Sequence, residues 1–129
     1  MILVDTSVWI DHLHQSDAHL AQALEADDVA THDLVIEELA AGSLADRQTF
    51  LGLLSHLTSL PRLSHHEVLA FLQAERLSGR GLSVVDCHLL GSLRLRPDVA
   101  LWTRDRRLAA AATDLGLKRV TSDHPRPPE

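Results

Sequence analysis

The sequence predicts an α/β domain, a parallel sheet covered by helices. Three observations carry that prediction. Ile2-Leu3-Val4 is a short apolar run with no polar face, as a central strand buried on both sides requires. Further short apolar runs alternate with segments whose apolar residues recur three and four apart. Two of the runs lead directly into an aspartate, Asp5 and Asp105. In open α/β sheets, ligands bind off the carboxyl ends of the strands.

The elements follow in order. After the first strand, Thr6 and Ser7 are candidate helix N-caps, and Val8, Trp9, Ile10 and Leu13 form an apolar stripe. Asp17 to Asp27 reads as a second helix and Val29 to Thr31 as a strand. Leu34, Val35, Leu39 and Ala40 face one side of a helix that Gly42 ends. Asp46 to Leu57 is amphipathic, and Leu60-Pro61 closes a short extended piece. Ser64 and Glu67 make a capping box for a helix expected to run to Ser78-Gly79. Leu82 to Val85 leads into a helix that Asp86 opens. Val99 to Thr103 is the second clear strand, Arg107 to Leu115 an alanine-rich helix, and Lys118 to Thr121 a last strand. The expected organisation is a single domain over residues 1–122 and a flexible polar tail over 123–129, rich in proline.

Composition narrows the function classes. Hydrophobic residues make up 45% of the 129, too many for a disordered chain. No apolar run reaches transmembrane length, so no membrane role is expected. The N-terminus lacks a signal-peptide n-region, and the chain is expected to start at Met1 because Ile2 to Val4 are needed as a strand. The single cysteine, Cys87, excludes an internal disulfide framework and points to a reducing cytoplasm, with the thiol as a small core hydrophobe. The net charge of −6 argues against a protein that simply coats nucleic acid. Lys118 is the only lysine and the other eleven basic residues are arginines, a skew that suits phosphate contacts and also follows from GC-rich coding.

The acids carry the chemistry. Asp5 and Asp105 follow strands, Asp86 stands at a helix opening, and Glu37 and Glu38 lie in a helix where at least one borders buried surface. Neighbouring parallel strands lie about 4.8 Å apart, so Asp5 and Asp105 on adjacent strands are placed to share one ion. Carboxylates gathered in one cavity repel, and either protonation or a hard cation relieves them. All-oxygen ligation favours Mg²⁺ or Mn²⁺, which serve phosphoryl chemistry.

Four segments then resemble a known family: Val4-Asp5-Thr6-Ser7-Val8-Trp9-Ile10-Asp11, Val35-Ile36-Glu37-Glu38-Leu39-Ala40, Val85-Asp86-Cys87-His88-Leu89-Leu90 and Leu101-Trp102-Thr103-Arg104-Asp105-Arg106-Arg107-Leu108. They are similar to the four signatures of the PIN-domain ribonucleases, and more closely to the VapC toxins of bacterial toxin–antitoxin pairs. The blocks stand in family order and span nearly the whole chain. The resemblance implies a PIN-like three-layer α/β/α sandwich with a parallel sheet of about five strands. It implies a Mg²⁺-dependent endoribonuclease toxin acting on structured RNA of the tRNA or rRNA class. It also implies a homodimer and a cognate antitoxin that neutralises it. By motif position Asp5, Glu38, Asp86 and Asp105 correspond to the acidic quartet, catalytic and metal-holding, with Thr6, Ser7 and Thr103 as hydroxyls behind it. Many relatives carry a small residue where Glu37 stands; Glu38 is assigned because it precedes Leu39-Ala40 as in the motif.

Other polar residues carry less. Nine histidines show no zinc-ligand spacing. His65-His66 reads as a solvated helix start, His88 as packing or surface, Asp11 as structural, and Trp9 and Trp102 as core. Arg104, Arg106 and Arg107 flank Asp105 as candidate RNA-phosphate contacts, with Arg94 and Arg96 on the preceding turn. Two other classes compete. A phosphoaspartate phosphatase or receiver-like protein wants a lysine after a late strand or a second aspartate two after the first; Lys118 lies too near the end and Ser7 holds the other place. A catalytically silent PIN-like interaction module would not need all four acids.

Overall fold

A computed structural model describes residues 1–121. The expected tail over 123–129 lies outside the described residues. The elements are β1 (Ile2–Val4), α1 (Thr6–His14), α2 (Ala18–Glu25), β2 (Val29–Thr31), α3 (Asp33–Ala40), α4 (Arg47–Ser55), β3 (Thr58–Ser59), α5 (His65–Ala74), α6 (Val84–Leu95), β4 (Ala100–Trp102) and α7 (Arg106–Asp114). The sheet order is β3-β2-β1-β4 and every pairing is parallel. Parallel neighbours need a crossover, which helices supply at each connection.

β1 occupies the middle because its residues tolerate no water on either side. Leu3 and Val4 are fully buried, and all three residues of β2 are buried. Successive strand residues point to opposite faces, so consecutive burial means helices on both faces, an α/β/α sandwich. Trp9, Leu20, Leu54, Leu89 and Leu108 complete the core around it. β1 registers Val4 against Trp102 of β4. That register brings the ends of the two strands, and the residues after them, to one rim.

Four boundaries differ from the expectation, each for a local reason. Asp5 occupies the N-cap position of α1, without a side-chain cap bond, and Thr6 is already helical. α5 stops at Ala74, short of Ser78-Gly79, because Arg76 turns left-handed at φ 55° and Leu77 N–H closes back on Leu72 C=O at 3.0 Å. Val84 and Val85 form the first turn of α6, so Asp86 is its third residue rather than its opener. Lys118 to Thr121 contributes a single parallel bridge, Leu101 to Arg119, beside β4. The sheet therefore has four strands plus that bridge among the described residues, in keeping with the expected α/β/α sandwich of about five strands.

Candidate active site

Asp5 sits at the rim where β1 gives way to α1, and it is 5% exposed. Two hydroxyls hold its Oδ2: Ser7 Oγ donates at 2.8 Å and Thr103 Oγ1 at 2.7 Å. Both hydroxyls accept from the backbone of the segment after β4, Ser7 from Arg104 N–H and Thr103 from Asp105 N–H, each at 3.0 Å. Two peptide dipoles thus feed, through two hydroxyls, into one carboxylate oxygen.

The other three acids reach the same rim on different elements. Thr6 Oγ1 donates to Glu38 Oε1 at 2.5 Å, tying α3 to the start of α1. Glu37, about 100° around the helix, faces Arg62 at 3.6 Å. Asp105 caps α7, its Oδ1 accepting from Arg107 and Leu108 N–H at 2.9 and 3.1 Å. Asp86 makes a capping box with Ser83, 3.1 Å to Ser83 N–H and 3.0 Å from its own N–H to Ser83 Oγ. Burial first, and then the charges of Asp5 and Asp105, hold the Asp86 carboxyl above its ordinary value against the lowering pull of the Ser83 N–H. Asp5, Asp86 and Asp105 therefore share one electrostatic site.

A common pattern runs through the four. Asp5 commits Oδ2 to the protein, Glu38 Oε1, Asp86 Oδ2 and Asp105 Oδ1. The second oxygen of each accepts no hydrogen bond among the described residues. As the side chains stand, no three His, Cys, Asp or Glu among the described residues are gathered tightly enough to hold a metal ion. The donor set is all oxygen, oriented by hydroxyls and helix caps, and its chemistry fits a hard divalent cation.

The residues around the rim separate into committed and uncommitted groups. Arg104, grouped on sequence with the RNA contacts, turns its guanidinium to Asp11 at 2.7 Å and Asp17 at 2.8 Å and lies over Trp102 at 5.9 Å. Asp11 is thereby structural. Arg94 and Arg96 pair with Glu75 and Asp98, at 3.1 and 3.0 Å. Arg106 and Arg107 are exposed at the start of α7. Trp9 and Trp102 are core, at 1% and 3% exposure. His88 is buried with Nδ1 unpartnered among the described residues, and Cys87 is buried with its thiol pushed up by burial and then by Asp86. Ser83 was missed on sequence. Its signal was present, a serine three residues before an aspartate ahead of an apolar run.

A family model described as PIN domain matches residues 2–123. The chain belongs to the PIN domain family. It is 51% identical over 117 residues to Ribonuclease VapC32 of Mycobacterium tuberculosis, in strain CDC 1551 / Oshkosh and in strain ATCC 25618 / H37Rv; the alignment covers 91% of this chain and 94% of that protein. Among solved structures it resembles the crystal structure of PAE2754 from Pyrobaculum aerophilum, with a TM-score of 0.59 and 22% identity over 92% of this chain and 88% of that one. The latter likeness concerns the fold. The PIN match runs from β1 to just past the bridge at Arg119, so all four acids lie inside the family domain. No helix among the described residues is long and apolar enough to cross a membrane.

Proposed function

We propose that this PIN domain is a divalent-metal-dependent endoribonuclease of the VapC toxin type. The observation that carries the reading is the pattern of the acids: Asp5, Glu38, Asp86 and Asp105 each commit one oxygen to the protein and leave the other without a hydrogen bond among the described residues. The Asp86 carboxyl, raised by burial first and then by the charges of Asp5 and Asp105, supports it, because those acids act on one another without a cationic side chain on Asp86 among the described residues. These four acids would hold Mg²⁺, with Mn²⁺ as substitute. A bound divalent cation supplies Lewis acidity for phosphodiester hydrolysis.

The chain's own residues do the rest. Ser7 and Thr103 orient Asp5, and Thr6 orients Glu38. Arg106 and Arg107 offer charge to phosphates, which a protein of net charge −6 needs locally before RNA can approach. The name of the M. tuberculosis relative supports RNA as substrate. We take the substrate to be structured RNA of the tRNA or rRNA class, the protein to be a cytoplasmic homodimer, and its restraint to come from a cognate antitoxin. The domain runs over residues 1–122.

The test is to incubate purified, antitoxin-free protein with total RNA and sequence the fragments. Discrete new ends in Mg²⁺ or Mn²⁺, absent with a chelator and in Asp5→Asn, support the reading. No cleavage in any divalent cation overturns it. That result would favour the silent interaction module, for which the helix-capping use of Asp86 and Asp105 is the supporting observation.

A further inference from the structure

Arg107 is the second residue of α7, and its N–H donates to Asp105 Oδ1 at 2.9 Å. Its side chain lies back across the 78–83 loop, on Gly81. A Cβ on Gly81 would stand 2.7 Å from Arg107 Nη1 and 3.0 Å from its Cδ and Cζ. The guanidinium therefore rests on bare glycine backbone. The same loop ends in Ser83, which forms the capping box with Asp86. Arg107 thus spans the two segments that carry Asp86 and Asp105. Arg62, Arg80, Arg94, Arg96 and Arg104 each face a carboxylate, whereas Arg107 has no ion pair among the described residues. An exposed guanidinium lying on the loop that leads into Asp86, carried by the helix that Asp105 caps and without an ion pair among the described residues, has the chemistry of a phosphate clamp.

We propose that Gly81 is a positioning residue: its missing side chain seats the Arg107 guanidinium, which grips a phosphate of the RNA substrate. The proposal rests on the nuclease reading above. Gly81 has two reasons to lack a side chain, its left-handed backbone and the Arg107 side chain lying on it, whereas Gly79 has only the first. Gly79, in the same loop, has φ 76° against 78° for Gly81, and a Cβ on Gly79 would meet nothing within 4 Å. Gly79→Ala therefore imposes the same left-handed strain without touching Arg107. In Gly81→Ala the added methyl displaces the far end of a flexible side chain, so the fold persists and the seat is lost.

The experiment uses the full chain and bulk transfer RNA as probe. Binding is read by anisotropy in EDTA across a salt series, and cleavage of the same RNA in Mg²⁺. The variants are Gly79→Ala, Gly81→Ala, Arg107→Ala and the Gly81→Ala/Arg107→Ala double. Gly81→Ala should weaken binding about tenfold and flatten the log–log salt slope by about one unit, the loss of one phosphate contact. KM should rise more than kcat falls. Arg107→Ala should match it, and the double variant should be no worse than either single. Gly79→Ala should bind and cleave as the parent, with a melting temperature like that of Gly81→Ala. The proposal is overturned if Gly81→Ala binds like Gly79→Ala, or if its loss adds in full to that of Arg107→Ala. Should Gly81→Ala not fold, Arg107→Ala decides: a lost slope unit supports the seat, and parental binding overturns it. A parent that cuts RNA while Gly81→Ala behaves as Gly79→Ala sinks only this proposal. A parent that neither binds nor cuts RNA sinks the nuclease reading as well.

Discussion

Two hydrogen-bonded networks among the described residues are built alike and end differently. One runs from the Arg104 and Asp105 N–H groups through Ser7 and Thr103 to Asp5. The other runs from Leu34 N–H to His32 and Ser92 and ends on Pro61 C=O. His32 Nδ1 accepts from Leu34 N–H at 3.0 Å, which puts the ring proton on Nε2, 3.0 Å from Ser92 Oγ. Ser92 then donates to Pro61 at 2.6 Å. Every donor in that second chain has a neutral acceptor, and the chain closes inside the protein. The first chain ends on a carboxylate whose second oxygen accepts no hydrogen bond among the described residues. A closed network holds elements together; an open one presents a ligand.

The first way to break this comparison is Asp5→Asn. The amide oxygen still accepts from Ser7 and Thr103, so stability should stay within about 1 kcal/mol of the parent. RNA cleavage should fall by at least about 100-fold, the scale for losing a charge aimed at reacting groups. Parallel melting and cleavage assays check both halves. An unfolded Asp5→Asn would mean the first network is also structural.

Ser92→Ala should do the reverse. It strands His32 Nε2–H and Pro61 C=O in the core, and a buried unsatisfied group costs about 1–3 kcal/mol. Urea denaturation should show a loss of about 2 kcal/mol or more, with cleavage at 25 °C unchanged.

Acid titration sharpens the contrast. Burial, first, and then the charges of His88 and Arg62, against an opposing effect of Asp33, lower the His32 pKa from 6.5 to about 4. Because the folded value lies below the unfolded one, the stabilisation is present in full above pH 6.5 and is lost as pH falls towards about 4. The expected loss is about 2 kcal/mol by pH 5. A stability–pH series on the parent and His32→Asn checks it: the variant should lack this acid limb.

At the rim itself, Glu38→Gln should lower cleavage by about tenfold or more, since Thr6 holds Glu38 beside the start of α1, next to Asp5. Glu37→Gln should cost about 1 kcal/mol of stability at most, the ceiling for an exposed pair such as Glu37–Arg62. Equal losses of activity in the two would undo the assignment of roles around the helix.

The smallest effect belongs to Asp86. Its folded pKa is raised, so its charge opposes folding at neutral pH and that penalty is relieved as pH falls through the folded value. Asp86→Asn keeps a cap acceptor for Ser83 N–H and removes the charge. Metal-free melting should show a gain of up to about 1 kcal/mol, and added Mg²⁺ should stabilise the parent more than the variant.

Local signals are legible in the sequence. Asp5 and Asp105 stand after short apolar strands, and the Ser64–Glu67 capping box appears where a serine three residues before a glutamate predicts it. The Ser83–Asp86 box obeys the same rule and was overlooked because Val84-Val85 reads as strand; their β-branched preference yielded to the cap. The end of α5 was misplaced because glycine is the usual left-handed residue and Arg76 takes that conformation instead.

The sequence by itself determined the α/β class and the central strand, because hydrophobic periodicity and helix caps act over a few residues; the four acids as a set came from the family resemblance. Tertiary structure decided which oxygen each acid keeps, that Glu38 meets Thr6 while Glu37 meets Arg62, and that Arg104 serves Asp11 and Asp17. It also decided that His32 is buried against Ser92 and that Arg107 lies on Gly81. These are contacts between residues from about 25 to nearly 100 positions apart in the chain. No local propensity encodes them; they exist only once the parallel crossovers bring distant segments to one rim.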